Sequence, residues 1–227
     1  MIALLVAAAI AAAPLPAGQH PHAAVAPGGY GFLLFVPRDA AGSQAEPRTR
    51  WPLMIFLHGS GEQGSDLTVV KVNGPPKLVD ENPDYPFVLI SPQLPAGLEK
   101  WDTGRLDAML DWAVKSLPID PDRVVLTGLS LGGYGTWAWA SARPDRFAAI
   151  APIAGEGDPK QACALKDMPT WAFHGDRDDA VPVEGSFAMV QAIRACHWSW
   201  VPAYLDPALT LWLIEQRRHQ PPSKDKK

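Results

Sequence analysis

Short continuous apolar runs alternate with segments of helical period along most of this chain. The runs are Phe32 to Val36, Leu53 to Leu57, Phe87 to Ile90, Val124 to Leu126, Phe147 to Ile153 and Trp171 to Phe173. They are unbroken rather than alternating, the pattern of strands buried on both faces of a parallel sheet. Between them Leu106, Met109, Leu110, Ala113, Val114 and Leu117 recur at helical spacing, with Pro118 as the stop. Further helices are predicted from Gly132 to about Ala142, from about Val183 to Arg194, and from Asp206 to Arg218, where Asp206 caps and Pro207 starts the first turn. Strand and helix in alternation predict a layered α/β fold around a mostly parallel sheet.

The ends read differently. Met1 to Ala13 is apolar, rich in Ala and Leu and too short to span a bilayer. It suits the hydrophobic part of an export signal, with small residues near Ala17 for cleavage, although no Lys or Arg precedes it. The expected organisation is a signal over residues 1–18, a Pro/Ala-rich linker over 19–28, one folded domain over 29–218 and a polar tail over 219–227. A periplasmic or secreted location follows, with no stable membrane span once the signal is removed. At 227 residues the chain has room for one well-packed domain. A formal charge of -4 leaves no excess of cations to track a phosphate backbone, so nucleic acid is not an expected partner. The two cysteines, Cys163 and Cys196, form no CxxC pair and no disulfide framework. Export permits them to pair, and two separate buried thiols is an equally good reading.

Reactive groups in open α/β sheets collect beyond the carboxyl ends of the strands. Three loops there carry chemistry. Gly128-Leu129-Ser130-Leu131-Gly132 is a GxSxG sequence with a strand entering and a helix leaving. A turn that sharp needs glycine two positions either side of the serine, and it stands Ser130 above the sheet. The Leu131 amide, at the start of the helix, then points at a developing oxyanion. The second loop, His58-Gly59-Ser60-Gly61-Glu62, brings a second amide, that of Ser60, to the same place. His58 reads as a structural hydrogen-bonding residue rather than a base. The third loop, His174-Gly175-Asp176-Arg177-Asp178-Asp179-Ala180-Val181-Pro182, offers three carboxylates that could orient a histidine.

Together these loops resemble the α/β-hydrolase superfamily, and within it exported esterases similar to feruloyl esterases, polyhydroxyalkanoate depolymerases and prolyl-oligopeptidase-like hydrolases. His174, Gly175, Asp178, Val181 and Pro182 meet the family pattern HGxxDxxVP, which singles out Asp178, with Asp176 and Asp179 as fallbacks. Ser91-Pro92-Gln93 matches as well. The resemblance implies a three-layer sandwich and a serine carboxylesterase working through Ser130, Asp178 and a histidine in a GHxSW-like loop. The corresponding stretch is Cys196-His197-Trp198-Ser199-Trp200, which makes His197 the candidate base. The implied substrate is a small or polymeric ester, with no metal and no cofactor. Gln93, Trp101 and Trp198 are candidate pocket residues, though most tryptophans of such a chain are core.

One departure from the family pattern matters. A helix from Val183 to Arg194 descends from the active-site edge, and relatives return through one more parallel strand before the histidine. Only Ala195 and Cys196 separate that helix from His197, a span of at most about 7 Å. The last family strand is therefore expected to be missing. His197 then reaches Ser130 only if the helix is short or laid across the sheet, or if a neighbouring chain supplies the base. Otherwise the triad is broken, and the competing reading is an impaired relative that binds without turnover. A peptidase-like hydrolase is a further alternative.

Overall fold

A computed structural model describes residues 15–41 and 50–197. Six strands form one sheet: β1 (Gly18–His22), β2 (Phe32–Val36), β3 (Trp51–Leu57), β4 (Val88–Pro92), β5 (Ile119–Leu129) and β6 (Ala149–Ile153), in the order β1-β2-β4-β3-β5-β6. The pairs β1–β2 and β2–β4 are antiparallel, and β4, β3, β5 and β6 are parallel neighbours. Parallel neighbours need crossover connections. These are α1 (Pro75–Glu81) between β3 and β4, α2 (Thr103–Ser116) between β4 and β5, and α3 (Leu131–Ala142) between β5 and β6. The fourth helix, α4 (Val183–His197), follows the last loop.

The predicted runs are buried for the reason their pattern suggested. Every residue of β2 and β4 is buried, as are Leu53, Ile55, Phe56 and Leu57 of β3. Leu106, Met109, Leu110 and Ala113 of α2, with Trp137, Trp139 and Ala140 of α3, pack into the same cluster. Asp102 caps α2 by accepting from the Arg105 N–H at 3.0 Å. Trp139 is core, its indole donating to Asp107 Oδ1 at 2.8 Å.

Three expectations are corrected. The stretch from residue 19 read as a linker holds strand β1, paired along its length with β2 from Gly18↔Val36 to His22↔Phe32, so the folded unit begins before residue 29. An edge strand is made by backbone hydrogen bonds and carries no obligatory apolar face, which is why Gln19, His20 and Pro21 hide it. The run Trp171 to Phe173, with Thr170 before it, forms only two isolated parallel bridges, Ile150↔Thr170 and Ile153↔Phe173, rather than a strand, and Trp171 is 72% exposed. Lastly, α4 continues past Arg194 to His197. No strand follows α4 among the described residues. The helix from Asp206, the tail and residues 1–14 of the expected export signal lie outside them; of the rest of that segment, Leu15 packs against the core and Gly18 pairs with Val36 in β1.

Cys163 and Cys196 form a disulfide, joining the 3-10 segment Pro159–Leu165 to the end of α4. Two separate thiols would have required these positions to stay apart, but both lie where α4 packs on that segment.

Candidate active site

Ser130 sits between β5 and α3 at φ 52°, ψ -118°, a conformation that L residues avoid and that costs on the order of 1–3 kcal/mol. The glycines around it are obligatory. A Cβ on Gly128 would strike the carbonyl of Gly132, and one on Gly132 would strike the carbonyl of Leu57. The Ser130 N–H donates to Ile153 O at 2.9 Å, which pins the turn to β6. Its hydroxyl caps nothing, although Ser130 occupies the N-cap of α3. Among the described residues the nucleophile is thus held by backbone alone, and its oxygen is left uncommitted.

The second loop lies against it. A Cβ built on Gly59 would be 3.5 Å from Ser130 Cβ and 2.9 Å from Leu129 Cδ1, so glycine is what lets the two loops approach. Gly59 leads into a 3-10 turn, Ser60–Glu62. Among the described residues neither the Ser60 nor the Leu131 N–H has an acceptor. Two free amides beside a serine at a helix N-terminus are the arrangement that holds an oxyanion.

His58 is structural. It is wholly buried, and its Nε2 accepts from the Leu94 N–H at 3.0 Å, which leaves Nδ1–H to donate to Gly59 O at 2.6 Å. Burial pushes its pKa below the ordinary value, outweighing the opposing effects of the Gly59 carbonyl and of Glu62, whose Oε2 lies 4.0 Å away. Glu62 is buried and accepts from Asn73 Nδ2.

Asp178 Oδ1 accepts from the Val181 and Ala180 N–H groups, each at 2.9 Å, and these bonds hold its pKa below the usual carboxylate range. Its other oxygen is 3.6 Å from His174 Nε2. His174 lies 2.9 Å from Val181 O through Nε2 and 2.7 Å from Ser186 Oγ through Nδ1, and Ser186 donates on to Gly155 O at 3.1 Å. A Cβ on Gly155 would press on Gly133 and the Tyr134 nitrogen, so this network ties the start of α4 to the first turn of α3. Asp176 and Asp179, the fallback carboxylates, are exposed.

His197 is the candidate base that the sequence offered. It is the last residue of α4, eleven residues beyond Ser186, or roughly 16 Å along the helix at ~1.5 Å per residue. The disulfide holds the neighbouring Cys196 against the segment Pro159–Leu165. The end of α4 is thereby tied to that segment, against which the helix packs.

A cleft of about 530 Å³ opens along α3; its lining includes Leu131, next in sequence to Ser130, but not Ser130 itself. Leu131, Tyr134, Ala138 and Ser141 of α3 form one wall, and Trp101 and Glu156 belong to the others. Trp101, a candidate pocket residue, lines this cleft. Gln93 does not: its amide is buried and donates to Glu62 O at 3.0 Å and Asp66 O at 2.9 Å, so it braces the second loop. Trp198 is outside the described residues. Tyr134 and Glu156 were not found from sequence, though the helical spacing 131, 134, 138, 141 carries the signal for the α3 wall. Partial burial, with the charges of Glu156 and then Asp178 adding to it, raises the Tyr134 pKa. No cluster of three potential metal ligands occurs among the described residues, and no helix there is long and apolar enough to cross a membrane.

A mostly parallel sheet in this strand order, with a strained serine between strand and helix, is the arrangement of the α/β-hydrolase fold. The comparisons agree. The sequence profile of the prolyl oligopeptidase family matches residues 102–166, the part that holds α2, the serine turn and β6. A bifunctional acetylxylan esterase/xylanase of Neocallimastix patriciarum is 28% identical over 136 residues, 57% of this chain and 20% of that protein. Poly(3-hydroxyalkanoate) depolymerase C of Paucimonas lemoignei is 49% identical over 120 residues, 46% of this chain and 28% of that protein. A solved thermostable esterase superposes with a TM-score of 0.64 at 29% identity, covering 88% of this chain and 63% of its own. The chain spans only 20%, 23% and 37% of the first three curated relatives it matches.

Proposed function

We propose that this protein hydrolyses carboxylic esters through an acyl-enzyme on Ser130. The observation that carries the reading is Ser130 at φ 52° with two unpartnered amides, those of Leu131 and Ser60, beside it. Ser130 Oγ attacks the carbonyl carbon, and the carbonyl oxygen takes the negative charge against the two amides and the N-terminus of α3. The alcohol leaves, and water then cleaves the acyl group from Ser130. Asp178 is the carboxylate available to stabilise an imidazolium. The proton carrier assigned on resemblance is His197; the path of α4 does not support it. The similarity to esterases supports the ester class, whereas the prolyl oligopeptidase match covers the serine turn and says nothing of peptide binding. A periplasmic or secreted site of action fits the Cys163–Cys196 disulfide.

The placement of residue 197 favours a second reading, in which the cleft binds ligand and Ser130 turns over slowly or not at all. Removing one member of a triad costs on the order of 10⁴–10⁶ in rate, so the two readings differ widely. Intact-mass detection of a fluorophosphonate adduct and hydrolysis of p-nitrophenyl acetate decide. Ester hydrolysis requires both in the wild type and neither in Ser130→Ala. Equal hydrolysis by wild type and Ser130→Ala would overturn the assignment, and full activity in His197→Ala would remove that histidine from it.

A further inference from the structure

We propose that Glu62 is the general base of this site and takes the Ser130 proton through one bridging water. The proposal rests on the ester reading and names a proton carrier for it within the described residues. Two observations carry it.

The first is a buried carboxylate that the fold leaves half satisfied. The Glu62 side chain keeps 6% of its surface open to solvent. Its Oε1 accepts from Asn73 Nδ2, while Oε2 has no hydrogen-bond partner among the described residues. Its one ion-pair neighbour among them is His58, whose Nδ1 lies 4.0 Å from Oε2. That nitrogen already donates to Gly59 O, and Nε2 accepts from the Leu94 N–H, so the ring is neutral and does not engage the carboxylate as an ion pair. Buried carboxylate oxygens are normally supplied with donors, and an exception in a folded protein calls for a role.

The second is the gap beside Gly59. A Cβ there would be 3.4 Å from Glu62 Oε2 and 3.5 Å from Ser130 Cβ, so carboxylate and serine border the same space, with Oε2 within about 7 Å of Ser130 Cβ. The backbone at Gly59, φ -80° and ψ -177°, is one that any residue adopts, so glycine serves there for space. A side chain would stand between the carboxylate and the nucleophile. One water spans oxygens roughly 5 Å apart with two ordinary hydrogen bonds, and a general base works directly or through one water.

The step balances. As Ser130 Oγ bonds to the carbonyl carbon, its proton passes to the water, a water proton passes to Glu62 Oε2, and the carbonyl π pair moves onto the carbonyl oxygen. Negative charge is thereby transferred from the carboxylate to the oxyanion that the Leu131 and Ser60 amides hold, and no new charge is created. Collapse of the intermediate returns the proton from Glu62 through the water to the departing alkoxide. The same carboxylate then deprotonates the water that frees the acyl group from Ser130.

The test measures how fast a fluorophosphonate labels Ser130, by intact mass. Glu62→Gln keeps the acceptor for Asn73 and should lower that rate about 100-fold or more, with a thermal unfolding midpoint within about 5 °C of wild type. Two further readouts separate a base from a structural residue. An imidazole base loses about tenfold in rate per pH unit below ~6.5, whereas the wild-type rate should change less than about 3-fold between about pH 7.5 and 5.5. In Glu62→Ala, sodium formate should raise the rate about 5-fold over sodium chloride at equal ionic strength, because formate restores a carboxylate to the gap. A Glu62→Gln rate within about 3-fold of wild type overturns the proposal, as does a wild-type rate that follows an imidazole titration or a Glu62→Ala protein that formate does not rescue. A wild type that neither labels nor hydrolyses p-nitrophenyl acetate overturns the ester reading, and the proposal with it.

Discussion

His58 links the stability of the fold to the shape of the oxyanion loop, and His58→Phe separates the two. Phenylalanine keeps a ring beside Trp101, 5.0 Å away, but supplies neither the acceptor for the Leu94 N–H nor the donor for Gly59 O. Leaving a buried polar group unpaired costs about 1–3 kcal/mol, so two such groups should lower unfolding free energy at pH 7.5 by about 2–6 kcal/mol. The pH profile carries the sharper signature. Burial holds His58 neutral in the native state with a pKa below the ordinary value, whereas in the unfolded chain it titrates near ~6.5. As pH falls through ~6.5 the unfolded state takes up a proton that the native state refuses, so stability drops by up to about 1.4 kcal/mol per pH unit until the native pKa is reached. The pKa of His22 is lowered too, by burial and by His20, but this contribution is common to both proteins. Urea unfolding at several pH values between 7.5 and 5.5 should show the wild type weakening faster than the variant. Parallel profiles, or a variant within about 0.5 kcal/mol of wild type at pH 7.5, would refute the assignment of His58 as a neutral buried bridge.

Other consequences of the geometry are measurable. Ser130→Gly removes a side chain from a strained position and should raise unfolding free energy by about 1 kcal/mol while abolishing fluorophosphonate labelling; a drop in stability would show that no strain is stored there. Gly132→Ala drives a Cβ into the Leu57 carbonyl, and thermal unfolding should report a loss of about 3 kcal/mol or failure to fold. Replacing both Cys163 and Cys196 by Ser opens a link between residues 33 apart and should cost about 2–4 kcal/mol in chemical denaturation, an effect that dithiothreitol reproduces in the wild type and not in the variant.

What could be read from the sequence followed the physics of each element. The serine turn was legible because its backbone admits only glycine at 128 and 132, where a Cβ would meet main chain. Strands β2 to β4 were legible because burial on both faces leaves an unbroken apolar run, whereas β5 was read only from Val124 to Leu126 because its first half is polar and exposed, and β6 is only half-buried. Strand β1 was not, since its pairing with β2 uses main-chain groups that every sequence possesses. The pairing of Cys163 with Cys196 depends on how α4 packs on the segment Pro159–Leu165, which neither spacing nor composition encodes. Gln93 was misplaced for a related reason. The motif that contains it marks a loop near the site, and only the fold shows its amide turned inward to the carbonyls of Glu62 and Asp66.

α4 shows most directly how a local pattern and a global constraint divide the problem. Its apolar period foretold a helix, and helix geometry fixes its length at ~1.5 Å per residue whatever chemistry its far end carries. Its first turns belong to the site, because Ser186 bridges His174 and the Gly155 carbonyl, and Gly155 lies against the first turn of α3. Its last turn belongs to the disulfide. Moving residue 197 to Ser130 would require unwinding the end of the helix and releasing Cys196 from Cys163, each with its own free-energy cost. Catalysis by His197 therefore predicts faster labelling of Ser130 when Cys163 is replaced by Ser, since one of the two restraints is gone. Unchanged labelling in Cys163→Ser, with labelling also unchanged in His197→Ala, would show that the proton leaves Ser130 by another route.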